Sequence, residues 1–73
     1  MAEFNFKIEE EFGVLSSNDK GYSKEFKKIS YNGKPAVYDI RQWYTDPETN
    51  EKKMLKGTTL TEEEFEKLKE LIN

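Results

Sequence analysis

The sequence predicts an α+β domain in which four antiparallel strands are followed by one C-terminal helix, in the order ββββα. Three observations lead there: alternating apolar runs through the first two thirds, an Asn-Gly pair between two of them, and a helix with its own start signals at the end. No repeat, low-complexity tract or Pro/Gly/Ser-rich linker interrupts the chain, so residues 1–73 are expected to form a single domain.

Between Ala2 and Ser16 the residues Phe4, Phe6, Ile8, Phe12 and Val14 share one parity, with Lys7, Glu9 and Glu11 on the other, which predicts a long half-buried strand. Ser16 to Gly21 is turn chemistry. A second strand runs from about Tyr22 to Tyr31, where Phe26 and Ile29 lie three apart, so either a bulge separates them or only one faces the core. Asn32-Gly33 then predicts a tight type I′ hairpin, because both central positions need positive φ. The third strand, Ala36 to Tyr44, places Ala36, Tyr38 and Ile40 on one face and Val37, Asp39, Arg41 and Trp43 on the other. A looser turn at residues 46–50 leads to a short strand from about Met54 to Leu60. Thr61 and Glu64 form a capping box, with Leu60 and Phe65 as the hydrophobic staple. Phe65, Leu68, Leu71 and Ile72 make one apolar stripe along the helix that follows.

A chain of 73 residues has a small core, burying only roughly 60% of the surface that it exposes when unfolded. Scaffolds of this size usually need disulfides, a metal or a partner subunit, and the sequence has no Cys and no His. A homodimer is the remaining route. The stripe of Phe65, Leu68, Leu71 and Ile72 exceeds what one side of so thin a domain can cover, so part of it is expected to meet a symmetry mate. No apolar run approaches a signal-peptide core or a membrane span, and a soluble, cytoplasmic protein with no membrane partner is expected.

The missing His and Cys also remove the commonest general base, the thiolate nucleophile and the soft metal ligands, and no catalytic site, metal or cofactor is expected. Asp39 and Arg41, two apart on one strand face, read as a surface ion pair. Asp46-x-Glu48-x-Asn50 imitates the start of a calcium loop, but Glu51 stands where Gly is required and Gly57 where Glu is required. Glu9-Glu10-Glu11 reads as a solvated strand edge.

The net charge of −3 argues at first against a polyanionic partner, but its distribution is uneven. Residues 20–56 carry nine basic and five acidic side chains, between two acidic flanks. That middle also holds aromatics beside cations: Tyr22, Tyr31, Trp43 and Tyr44 near Lys20, Lys24, Lys34 and Arg41, with Lys52, Lys53 and Lys56 in the next hairpin. Aromatic faces that stack on unpaired bases, flanked by cations that follow the backbone, are what sequence-tolerant single-strand binding needs. Small β-rich domains also use aromatics as core, and the pattern alone leaves both readings open.

The run from Tyr38 to Glu48, an Asp-Ile-Arg strand ending in paired aromatics and an Asp-Pro-Glu turn, is followed by Lys56-Gly57-Thr58-Thr59-Leu60 and a helix. In order and spacing it resembles the carboxy-terminal domain of transcriptional coactivators of the positive-cofactor-four type. Gly21-Tyr22 to Asn32 and the long first strand extend the resemblance toward the short bacterial YdbC-like branch. It implies a curved four-stranded sheet with one helix, a dimer made with help from the helices, and paired channels for single-stranded DNA. Carried over by position, Arg41 matches the strand arginine facing nucleic acid, Tyr44 the second aromatic after it, Lys56 the lysine before Gly, and Tyr31 an exposed loop aromatic. The family's second strand-end aromatic is typically Trp, whereas Trp43 comes first here, so stacking could fall to Trp43 or to Tyr44. The candidate nucleic-acid set is Lys24, Lys28, Tyr31, Lys34, Arg41, Trp43, Tyr44, Lys53 and Lys56. RNA remains open as a ligand beside single-stranded DNA. The rival is a protein-interaction dimer serving a transcription-machinery partner, with incidental nucleic-acid affinity.

Overall fold

The computed structural model describes residues 5–73, so the expected start of the first strand, including Phe4, lies outside the described residues. Strands β1 (Phe6–Ser17), β2 (Tyr22–Tyr31), β3 (Val37–Thr45) and β4 (Lys52–Leu60) precede helix α1 (Glu62–Ile72). The strands form one antiparallel meander in the order β1-β2-β3-β4, as the sequence predicts.

Each connection follows from local chemistry. Asn18 closes the first turn by accepting on Oδ1 from the N–H groups of Lys20 and Tyr22. Asn32 and Gly33 take φ of 51° and 77°, and the Lys34 N–H donates to the Tyr31 carbonyl at 3.0 Å, so the expected tight turn is present. The β2/β3 ladder resumes only at Ile29–Val37; Pro35, which has no N–H to offer a ladder, lies in the gap. In the third turn Asp46 accepts from the N–H groups of Glu48 and Asn50, and β4 then begins at Lys52, two residues earlier than the apolar pattern suggests. The capping box is complete: Glu64 N–H donates to Thr61 Oγ1 at 3.1 Å and Thr61 N–H to Glu64 Oε1 at 2.8 Å.

The two faces of the sheet are packed differently. On the helix face, Phe12, Phe26, Tyr38 and Phe65 form a row of rings, Phe12 to Phe26 at 4.6 Å and Tyr38 to Phe65 at 4.0 Å between centroids. The opposite face carries the buried core: Ile29, Trp43, Glu25, Lys27 and Asp39, each 4% exposed or less. Phe6 reaches across to Trp43, with ring centroids 6.0 Å apart.

The shared parity expected for the first strand does not survive. Its pairing with β2 shifts at three places, between Ile8 and Glu10, Glu11 and Gly13, and Val14 and Ser16. Each bulge inserts a residue and breaks the period of two. Phe6 therefore meets Trp43 on the core face, while Phe12 stacks on Phe26 on the helix face. In β2 the pairing with β3 is unbroken, and Phe26 and Ile29 lie on opposite faces with no bulge between them.

Candidate nucleic-acid interface

The helix covers only part of its face. It packs mainly over β3 and β4, and Phe65 reaches the Phe26 ring on β2 as well as Tyr38 on β3. Toward the other end of the strands an open strip remains. Its outer rung is Tyr22, Tyr44 and Lys53, joined by the pairs Tyr22–Tyr44 and Tyr44–Lys53. The next rung is Lys24 and Gln42, paired across β2 and β3. Lys56 joins it through a bulge in β4, where Leu55 and Lys56 together oppose the single residue Gln42. Lys24, Gln42, Lys56 and Thr58 line one shallow hollow, with Arg41 also at its wall, and Lys24 and Gln42 line a second with Ser16 and Tyr22, so the depression runs across all four strands.

The strip presents flat rings between free cations. Tyr22 is 39% exposed and its ring lies 5.0 Å from that of Tyr44. Gly21, at φ of 95°, permits this arrangement, because a Cβ there would fall 2.6 Å from the Thr45 carbonyl and 3.1 Å from the Tyr44 ring. Lys24, Lys53 and Lys56 are exposed, and no carboxylate among the described residues pairs with them. Uncommitted ammonium groups flanking aromatic faces can neutralise phosphates while the rings stack on bases.

On the opposite face the charges are already matched to one another. Lys27 pairs with Glu11 and Glu25, each at 2.7 Å, and Lys52 pairs with Glu25 at 2.7 Å. Both lysines lie over the Trp43 ring, at 5.1 and 5.7 Å from its centroid. Burial alone would raise the Glu25 carboxyl, but hydrogen bonds from Lys27, Lys52 and Ser23 bring it down to about 2. Asp39 is fully buried and takes a fork from Arg41, Nε at 2.7 Å and Nη2 at 2.8 Å, together with the Tyr31 hydroxyl. That hydrogen-bonded carboxylate raises the Arg41 pKa, whereas burial first and then Asp39 push the Tyr31 phenol upward. The expected surface pair Asp39–Arg41 is thus a buried one.

The nine candidate residues are divided by this geometry. Lys24, Tyr44, Lys53 and Lys56 come together on the strip. Lys28 shares that face but lies beside the helix, its Nζ 5.0 Å from the Tyr38 centroid. Lys34 is exposed beyond the β2–β3 turn. Tyr31, Arg41 and Trp43 are on the other face, where Trp43 is 2% exposed and its indole N–H has no partner among the described residues. Tyr22 and Gln42 belong to the strip and are absent from the candidate set. Tyr22 stood beside Lys20 and Lys24 in the aromatic-cation run, and Gln42 has the same parity as Tyr38, Ile40 and Tyr44, so both were within reach of the pattern. The helix stripe divides too: Phe65 is half-buried on the sheet, whereas Leu68, Leu71 and Ile72 are 37, 73 and 78% exposed. No helix among the described residues is long and apolar enough to cross a membrane.

Comparison with known proteins agrees with this architecture. The family model described as Transcriptional Coactivator p15 (PC4) matches residues 18–71, from the first turn through the helix. A protein of Treponema pallidum (strain Nichols), described as uncharacterized, is 42% identical over 71 residues, covering 97% of this chain and 79% of the relative.

Proposed function

The chain belongs to the transcriptional coactivator p15 (PC4) family, and from that premise we propose that it is a non-catalytic, cytoplasmic single-stranded DNA-binding protein. It acts as a homodimer in transcription regulation or in replication and repair. The observation that carries this reading is the strip itself, where Tyr22 and Tyr44 offer adjoining rings between Lys24, Lys53 and Lys56. Phosphates lie against the lysines and unstacked bases against the rings. A rigid duplex cannot turn its base faces toward the tyrosines and keeps only the electrostatic term, which a net charge of −3 makes weak.

Titration of single-stranded DNA, duplex DNA and single-stranded RNA at several salt concentrations tests this directly. Single strands are expected to bind more tightly than duplex, with a log–log salt slope of about −0.7 for each phosphate neutralised. Replacing Tyr44 or Tyr22 by Ala is expected to cost about 1–3 kcal/mol of binding for each ring that stacks. Lys67, on the acidic helix, serves as a control expected to change nothing. Equal binding of duplex and single strand, or an equal effect of Lys67 and Lys56, would overturn the reading in favour of a protein-interaction dimer. Tighter binding of RNA than DNA would instead point to contacts with the 2′-hydroxyl.

A further inference from the structure

Arg41 borders the hollow, but its guanidinium is turned to the opposite face, where it is joined to the backbone that positions one of the strip's cations. Nε and Nη2 are held by Asp39, which is fully buried, and the remaining nitrogen, Nη1, donates to the Leu55 carbonyl at 3.0 Å. Leu55 is half of the β4 bulge and Lys56 is the other half. Gly57, next along β4 and paired with Arg41, completes the fit, since a Cβ there would lie 1.9 Å from the Arg41 Cβ. The side chain thus crosses β4 where only glycine leaves room, and grips the bulge from behind. A bulge re-aims the side chains that flank it, and this one places Lys56 in the hollow with Lys24 and Gln42.

The geometry points to Arg41 as a positioning residue that fixes Lys56 for phosphate contact through the Leu55 carbonyl, with Asp39 as its anchor, and not as a phosphate ligand itself. The inference rests on the strip as the nucleic-acid surface. It departs from the expectation, drawn from the sequence, that Arg41 faces nucleic acid. The charge of Arg41 is matched by a carboxylate in the interior, and a phosphate would have to compete with a two-pronged, buried ion pair to recruit it.

Arginine and lysine separate the two roles. Arg41→Lys keeps the positive charge, but a single ammonium cannot replace a planar fork that binds Asp39 and Leu55 together. Salt-dependent titrations of an oligonucleotide against wild type, Lys56→Gln, Arg41→Lys and the double variant form a cycle. Lys56→Gln is expected to make the salt slope shallower by about 0.7. Arg41→Lys is expected to make it shallower by the same amount, and the double variant to match Lys56→Gln alone. In the free protein, the amide resonances of Leu55, Lys56 and Gly57 are expected to move in Arg41→Lys. Asp39→Asn is the second variant, should Arg41→Lys fold poorly. It releases Arg41 from its counter-charge, so a phosphate-binding Arg41 would give tighter binding and a steeper slope, whereas loss of the anchor gives weaker binding and a shallower one.

Wild-type slope in Arg41→Lys, a double variant that loses twice the single increment, or tighter binding by Asp39→Asn would each overturn the positioning role while leaving the strip intact. If Lys56→Gln leaves the slope unchanged, the strip itself is wrong, and the role assigned to Arg41 falls with it.

Discussion

Glu25 sits where a carboxylate is costly, 4% exposed on the core face, and stays ionised because Lys27, Lys52 and Ser23 all donate to it. Its pKa of about 2, against 4.5 in the unfolded chain, means that the folded state binds its proton less readily. That stabilisation is fully present above about pH 4.5 and is lost as the pH falls through the folded value near 2. The shift corresponds to something on the order of 3 kcal/mol. Urea midpoints measured from pH 7 to pH 2 should therefore fall steeply in acid for the wild type. Glu25→Gln should be less stable at pH 7 and less dependent on pH, with the two curves converging near pH 2; parallel curves would mean that Glu25 contributes little. Lys27 has the opposite sign: its raised pKa keeps it charged, and its contribution is lost only in strongly alkaline solution. Trp43 is the large apolar component of the same cluster, and Trp43→Ala is expected to cost about 3–5 kcal/mol. In so small a domain that loss should abolish a cooperative thermal transition measured by circular dichroism.

At the scale of elements, the turns and the helix were legible in the sequence because each depends on residues close to one another. Asn32-Gly33 needed only two positive φ values, and the capping box needed only Thr61 and Glu64 three apart. The bulges were not legible. Whether β1 gains a residue at Glu9, Phe12 and Leu15 depends on its pairing with β2, and a period of two read along one strand carries no trace of the partner. For the same reason the alternation in β3 gives the parity of its side chains but not which face is buried. Asp39, Arg41 and Trp43 do share a face, and that face is the buried one, because its charges are matched within it, Asp39 by Arg41 and Glu25 by Lys27 and Lys52, where a linear reading counts them as solvent-facing. The candidate interface was therefore read as one surface where the structure divides it between two. Gly57 marks the most demanding of the strand contacts. Gly57→Ala forces β4 away from Arg41, and by analogy with overpacked cores it should destabilise by about 1–3 kcal/mol in chemical denaturation. An unchanged midpoint would show that the bulge can open without strain.

The molecule as a whole is a slab, 41 × 35 × 18 Å, and a slab has too little interior for its apolar side chains. The surplus falls on β1, where Phe6, Ile8, Phe12, Val14 and Leu15 are exposed, and on α1, where Phe65 is absorbed by the sheet but Leu68 is partly exposed and Leu71 and Ile72 are mostly so. In the homodimer proposed above, this end of the helix meets its symmetry mate, while the strip lies at the opposite end of the strands and stays open in each protomer. Leu71→Glu, which places a charge in that contact, tests the arrangement. The wild-type thermal midpoint should rise with protein concentration, as it must when folding and association are linked, and the variant's midpoint should be lower and independent of concentration. Sedimentation should show the variant as a monomer at micromolar concentration. Its strip is untouched, so a short oligonucleotide that occupies one protomer should bind the folded variant about as tightly as the wild type. A long oligonucleotide that reaches both strips should lose the advantage of two linked sites, a factor of about 10² or more. A wild-type chain that sediments as a stable monomer at micromolar concentration would end the dimer proposal, and equal losses on short and long strands would show that the helix end contributes to the strip directly.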